Sequence, residues 1–193
     1  MPKKIAIDLD HPQGDLVTQL LDQHEQVRAA IDAVAKTTTA KSRQDAFDAL
    51  RELLSRHETA EEMVVRILTR RFEGGDAIAS ARMDEENKSK EVLAELEHLD
   101  IASVEFARLF ENFAKAVLEH AQAEEVYEFP LLRRNLDADR LKKAEEQLLL
   151  AEKTAPTHPH PSAKSTAMNF VAGPFAAVAD RARDAISNVL SND

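Results

Sequence analysis

The chain has 193 residues and a formal net charge of −10 at pH 7, with no cysteine, few glycines and much Ala, Leu and Glu, a composition typical of helical proteins. The acidic balance and the lack of a Lys/Arg cluster argue against a nucleic-acid-binding surface, and without cysteine any metal must be held by His and carboxylates. The N-terminus lacks the apolar segment of a signal peptide, and no run of about 18 apolar residues occurs, so we expect a cytoplasmic protein without a membrane span.

Hydrophobic residues spaced three and four apart predict two helices in the first part of the chain. The first begins at Asp15, a suitable N-cap, and stops in the β-branched stretch Thr37–Thr39. The second begins with Ser42 as its N-cap and ends where Gly74 and Gly75 supply left-handed backbone conformations. A histidine and a glutamate interrupt its otherwise hydrophobic inward stripe, which consists of Phe47, Leu50, Leu54, His57, Glu61, Val64 and Leu68.

Two more helices follow with the same spacing. The stripe of the third is Ala79, Arg82, Glu86, Ser89, Leu93 and Leu96. The fourth has Asp100 or Ser103 as its N-cap and Pro130 near its end, where we expect a kink or a stop. Its stripe is Phe106, Phe110, Phe113, Val117, His120, Glu124, Tyr127 and Leu131. Four long helices with short connections predict an all-α fold, an antiparallel up-down four-helix bundle over residues 1–135.

The remaining chain predicts a C-terminal helical extension in three parts. Residues 136–154 have the pattern of a short additional amphipathic helix. Residues 155–168 form a Pro-rich linker, and residues 169–193 predict a last amphipathic helix. Because a lone helix cannot bury its apolar face, we expect the last helix to dock on the bundle or to pair with a second copy in a homodimer.

Helices two and four carry the same six-residue motif, H-x-x-A-E-E. The first motif is "HETAEE" from His57, and the second motif is "HAQAEE" from His120. A His and a Glu four residues apart lie on one helix face and can bind one ion. With one further residue from each of the other two helices, the inward ligands are His24, His57, Glu61, Glu86, His120 and Glu124. Six nitrogen and oxygen ligands suit two metal ions that share bridging carboxylates.

From roughly Leu16 to Leu132 the sequence resembles the hemerythrin-like, HHE cation-binding proteins. The resemblance rests on the single histidine of helix one, the two motifs, "EENKSKEVLAELEHLD" in helix three and "FPLL" in helix four. It implies a non-haem di-iron centre with an oxo or hydroxo bridge, which handles O2, peroxide or nitric oxide or senses iron. The sequence departs from the family pattern in helix three, where Glu86 stands at the usual place of a histidine.

This departure favours redox turnover over reversible O2 carriage, because carboxylate-rich sites stabilise iron(III). In the expected arrangement Glu61 and Glu124 bridge the two ions, His24 and His57 bind one, and His120 and Glu86 bind the other. Tyr127, the only tyrosine, lies one heptad beyond His120. We expect it in the hydrophobic core or, as a catalytic group, beside the site, where it would donate a hydrogen bond or take part in redox steps.

Several alternatives stay open at this point. Glu85 is the alternative to Glu86. Glu58, Glu62, Glu119 and Glu125 are expected on solvated faces, although Glu125 replaces Glu124 if helix four is rotated. Manganese or zinc suits the same ligands as iron. The predicted function is a peroxidase-like, catalase-like or oxidase reaction with a small oxidant. The alternative is a non-catalytic module that binds or senses iron, O2 or nitric oxide. A metal-free interaction protein is the third option.

Overall fold

The structure, a computed structural model, describes residues 14–158 and Asp184. In this part the chain folds into helices α1 to α7 and two π-helical turns, π1 and π2. In chain order they are α1 (Leu16–Lys36), α2 (Ala40–Ala60), π1 (Glu61–Val65), α3 (Arg66–Thr69), α4 (Gly75–Glu97), α5 (Val104–Ala123), π2 (Glu124–Glu128), α6 (Phe129–Asn135) and α7 (Ala138–Thr154). Because π1 and π2 join their neighbours without a break, four long helical rods result, and the predicted all-α four-helix bundle is confirmed.

The helix starts follow side-chain capping. Asp15 caps α1 as predicted, and Ser103, one of two alternatives with Asp100, caps α5. The prediction for the second helix was wrong by one turn, because Thr39 is the cap and its hydroxyl accepts the backbone N–H of Ser42 at 3.2 Å. A β-branched threonine is a good N-cap, since the cap residue itself has extended backbone angles.

Two glycines make the turn between α3 and α4 possible for different reasons. Gly74 has a φ of 77° and is in the left-handed conformation that was predicted. Gly75 is not left-handed; a Cβ atom there would lie 1.8 Å from the carbonyl oxygen of Thr69. Gly75 is therefore required by the close approach of the two chain segments.

Two hydrophobic clusters lie at opposite ends of the bundle. One includes Leu16, Leu20, Val64, Leu68, Leu132, Leu141 and Leu148, and the other includes Val27, Phe47, Leu54, Leu93, Phe106 and Phe113. Along α1, α2 and α5 the predicted ligands fall between these two sets of residues. The polar side chains are consequently enclosed by hydrocarbon on both sides.

Helix α7 occupies the range in which a short additional helix was predicted. It packs against α1, α2 and π1 and buries Leu141, Ala144, Leu148 and Ala151 in the first cluster. The predicted linker beyond residue 158 and the predicted last helix, apart from Asp184, lie outside the described residues. No helix among those described is long and apolar enough to cross a bilayer.

Candidate metal centre

Both sequence motifs end in a π turn, which changes the residues that face inward. In π1 the N–H of Arg66 bonds to the carbonyl of Glu61, and in π2 the N–H of Phe129 bonds to that of Glu124, each five residues back. A π turn adds a residue to the helix and rotates the positions that follow. Pro130, which has no N–H to donate, is the second residue of α6, and the rod continues to Asn135 instead of stopping there.

The six predicted ligand residues meet at the centre of the bundle in two overlapping groups. Within each group, one ligand atom per residue lies within 4.8 Å of the others. We call His24, His57, Glu61 and Glu124 the histidine-rich half-site, and Glu61, Glu86, His120 and Glu124 the carboxylate-rich half-site. Glu61 and Glu124 belong to both, which is the placement that bridging ligands need.

The carboxylate of Glu124 spans the two half-sites. Its Oε2 lies 3.2 Å from Nε2 of His24, and its Oε1 lies 3.2 Å from Nε2 of His120. Two ligand atoms that are each about 2.1 Å from one metal ion are about 3 Å apart when the angle between them is near 90°. The spacing on both sides of Glu124 therefore suits one ion on each side.

Each imidazole is oriented by an oxygen atom at its Nδ1. The pairs are His24 with Glu125 Oε1 at 2.8 Å, His57 with Gln23 Oε1 at 2.9 Å and His120 with Glu85 Oε2 at 2.9 Å. Because a carboxylate or amide oxygen accepts, Nδ1 donates, and Nε2 is the ring nitrogen that faces the centre and would bind an ion. The two alternatives from the sequence, Glu85 and Glu125, thus support histidines, while Glu86 and Glu124 point inward.

Five atoms of the centre are open, in that each is buried without a hydrogen-bond partner among the residues that the structure describes. These open ligand atoms are His24 Nε2, Glu61 Oε1, Glu86 Oε2, His120 Nε2 and Glu124 Oε2. A buried polar atom without a partner costs free energy that a bound cation would recover. Imidazole and carboxylate donors in this number fit iron, manganese or zinc.

Burial and mutual charge shift the pKa values of the ligands strongly. Burial raises the pKa of Glu61 well above its usual range and lowers that of His57 to about 3. Burial alone would raise the pKa of Glu124 and lower that of His120. The attraction between these two groups outweighs burial, so the pKa of Glu124 lies well below and that of His120 well above its ordinary value. A metal ion that enters must compete with the protons on such groups.

A buried arginine, which sequence reasoning missed, lies among the carboxylates. Arg66 is 1% exposed; its Nε and Nη2 donate to Glu86 Oε1 at 2.9 and 2.5 Å, and its Nη1 donates to Glu128 Oε2 at 2.5 Å. Nη2 also donates to Glu61 Oε2 at 3.3 Å and to Glu124 Oε1. Arg66 interrupts the apolar run from Met63 to Leu68, which was the available signal.

The structure does not bring Tyr127 to the site. Its side chain is 62% exposed, and Glu128, which is fully buried, takes the inward position. The π turn is the physical reason. A regular helical period places Tyr127 as the next inward residue after Glu124, and the wider π turn gives that position to Glu128. The expected core or catalytic position of Tyr127 is therefore corrected to a surface position.

Two further glutamates are less exposed than expected. Glu58 is buried, and Glu62 pairs with the ammonium group of Lys90 across the bundle. Burial raises the pKa of Glu58 to about 8, although Lys90 acts in the opposite direction. Of the four glutamates expected on solvated faces, only Glu119 is mostly exposed, and Glu125 is 26% exposed.

A cleft leads from the surface to one side of the centre. It has a volume of about 280 Å³, lies between α4 and α5, and is lined by His120, Glu85, Ser89 and Phe113 among others. On the opposite side, His57 is covered by α1 and α7. Its partner Gln23 donates through Nε2 to Glu152 Oε1 of α7 at 2.5 Å.

Comparisons with known proteins found a matching family model, a related sequence and a similar fold. The family model for the hemerythrin HHE cation binding domain matches residues 15–132. An uncharacterized hemerythrin-like protein of Schizosaccharomyces pombe is 28% identical over 134 residues, which are 68% of this chain and 66% of that protein's length. The crystal structure of a hemerythrin HHE cation binding domain-containing protein from Mycobacterium kansasii has a TM-score of 0.66 at 13% identity, covering 88% of this chain and 99% of that chain. The likeness to the crystal structure bears on the fold alone.

Proposed function

The chain belongs to the hemerythrin HHE cation-binding family, and on that premise we propose that it binds two iron ions and reacts with a small oxidant: hydrogen peroxide, O2 or nitric oxide. The observation that carries this proposal is the set of five open ligand atoms, with the two oxygens of Glu124 divided between His24 and His120. A structural core without a metal normally provides hydrogen-bond partners for its buried polar atoms, and here five ligand atoms around one centre have none among the described residues.

The two half-sites would hold one ion each, with Glu61 and Glu124 as the shared carboxylates. Iron bound there would supply one-electron redox chemistry toward the oxidant. The ligand set contains as many carboxylates as imidazoles, which favours the iron(III) state and supports turnover over reversible O2 binding.

The other residues of the chain orient the ligands and control access. Gln23, Glu85 and Glu125 hold the three imidazole rings through Nδ1, so Nε2 needs no reorientation when an ion arrives. Hydrocarbon at both ends of the bundle excludes water from the centre. The cleft beside His120 is large enough for a diatomic molecule or a peroxide but is small for an organic substrate.

The test is to reconstitute the purified full chain with iron(II) under anaerobic conditions, measure metal content, and record the visible spectrum after peroxide addition. We expect two iron ions per chain and fast peroxide decay that is lost in Glu61→Ala. The matched control is Glu111→Ala on the exposed face of α5. A chain that takes up manganese or zinc in preference to iron, or no metal at all, would contradict the proposal.

One observation favours the second candidate, a module that senses iron, O2 or nitric oxide. The chain of contacts from His57 through Gln23 to Glu152 connects a ligand to α7, which lies outside the family match. A change at the centre would therefore reach α7 directly. A stable oxygenated spectrum without peroxide turnover, together with changed hydrogen exchange in α7, would decide for this candidate.

A further inference from the structure

We infer that Arg66 is an internal counter-cation that makes the two half-sites unequal, so that the histidine-rich half-site loads first and the second ion must displace Arg66 from two carboxylates. This inference rests on the proposed two-metal function. It concerns a positioning residue, because Arg66 acts through the glutamates.

Arg66 compensates negative charge at the buried centre. A fully buried arginine is rare and is stable only when carboxylates surround it. Here four of them do: Glu61, Glu86, Glu124 and Glu128 all accept hydrogen bonds from its guanidinium group. The acidic centre therefore has a cation of its own within the protein.

The contacts of the Arg66 guanidinium group fall mainly on the carboxylate-rich half-site. Arg66 donates to Oε1 of Glu86 and Oε1 of Glu124, and these same oxygens lie 3.9 and 3.2 Å from Nε2 of His120. The oxygen of Glu124 that faces His24 is one of the open ligand atoms. An ion that enters between His24 and His57 therefore competes with Arg66 at one oxygen, Oε2 of Glu61, to which Arg66 donates at 3.3 Å.

Arg66 also has an anchor outside both half-sites, the carboxylate of Glu128. Its Nη1 donates to Oε2 of Glu128 at 2.5 Å, and Oε1 of Glu128 accepts from the hydroxyl of Thr69 at 2.6 Å. When an ion takes the oxygens of Glu86 and Glu124, this anchor leaves Arg66 with a charged partner. Arg66 can thus give up two contacts without becoming an unpaired buried charge.

Loss of two charge-assisted hydrogen bonds predicts the size of the effect. Each such bond to a charged group changes affinity by about tenfold or more, so the loss of two should make the second ion bind at least about a hundredfold more weakly than the first. Removal of the guanidinium should bring the two steps together. The metal-free chain should at the same time become less stable, because the carboxylates lose their cation.

The experiment titrates iron(II) anaerobically into the metal-free full chain by calorimetry, with metal content and urea unfolding as independent readouts. We expect two separated steps for the natural chain. In Arg66→Met we expect the two steps to merge, the urea midpoint of the metal-free chain to fall, and added iron to restore a larger share of stability than in the natural chain. Arg70→Met is the matched control, because Arg70 lies four residues after Arg66 and pairs with the exposed Asp76 instead of the buried carboxylates.

If Arg66→Met folds only with iron, the predicted loss of stability in the metal-free chain is confirmed. Arg66→Lys then tests the predicted change in the two iron-binding steps. Lysine keeps the charge but cannot reach four carboxylates at once, so the gap between the steps should narrow. Two equal steps in the natural chain, or an unchanged gap in both Arg66 variants, would overturn the inference. A natural chain that binds no iron would instead overturn the proposed function.

Discussion

His57 and His120 begin the same motif, yet the two motifs lie in different surroundings. The first motif is followed by a cation, Arg66, directly after π1, whereas π2 of the second motif ends in an acid, Glu128, and these two residues bond to each other. The first motif is covered by α7, whereas the second opens to the cleft between α4 and α5. Identical ligand patterns thus support two half-sites that differ in charge, in cover and in access.

The number of iron ions bound per chain is the strongest test of the difference between the two half-sites. Glu124 supplies one oxygen to each half-site, whereas Glu86 belongs to the carboxylate-rich half-site alone. We therefore expect Glu124→Ala to lose both iron ions and Glu86→Ala to keep one, as measured by elemental analysis after anaerobic reconstitution. Retention of two ions by Glu124→Ala would show that the half-sites do not share this carboxylate. Glu111→Ala serves as the control.

A second test concerns the rods that carry the two motifs. The rod of the second motif runs on to Asn135, but that of the first ends at Thr69, against which Gly75 packs closely. A methyl group at Gly75 would collide with the Thr69 carbonyl, so Gly75→Ala should lower the free energy of unfolding by roughly 3 kcal/mol. Gly74→Ala is the control, with an expected loss of about 1 kcal/mol for its left-handed backbone. Equal losses in thermal or urea unfolding would contradict the packing argument.

The regular helical period predicted most of the fold and the inward ligands. The predicted stripes of the second and third helical rods are buried, from Phe47 to Leu68 and from Ala79 to Leu96. The period failed at the π turns, because an added residue moves Arg66 and Glu128 inward and turns Tyr127 outward. No local pattern in the sequence announces such a turn.

Tertiary contacts explain the other misses. Gln23 stands beside His24 and reads as an ordinary polar helix residue, since its partners His57 and Glu152 come from other helices. Glu62 is charged and reads as solvated, yet Lys90 of α4 compensates it across the bundle. Such pairings depend on which helices become neighbours, which the sequence of one helix does not contain.

The two motifs should also differ in how they respond when the partner of an imidazole is removed. Gln23 lies buried under α7, so Gln23→Leu leaves Nδ1 of His57 without an acceptor, and we expect a loss of about 10–100-fold in iron affinity. Glu85 is 40% exposed, and water from the cleft can replace it in Glu85→Ala, so the loss there should be less than about tenfold. Anaerobic iron(II) calorimetry measures both, and a larger loss in Glu85→Ala would contradict the difference in cover.

The smallest expected effect concerns α7 alone. Burial raises the pKa of Glu152 from its ordinary 4.5 to about 7, against the hydrogen bond from Gln23 and the charge of Arg56. Between these two values the folded chain holds a proton that the unfolded chain has released, so the free energy of unfolding falls as pH rises from about 5 to about 7. Glu152→Gln keeps an oxygen for Gln23 and removes the titration.

The variant should therefore be more stable than the natural chain at pH 8, by about 1–2 kcal/mol, and the difference should shrink toward pH 5. Urea unfolding of both metal-free chains across this range measures it, and other groups that titrate in both chains cancel in the difference. A difference that is constant with pH would mean that Glu152 stays ionised beneath α7. In that case water would reach Glu152, and α7 would shield the first motif from solvent less than its packing implies.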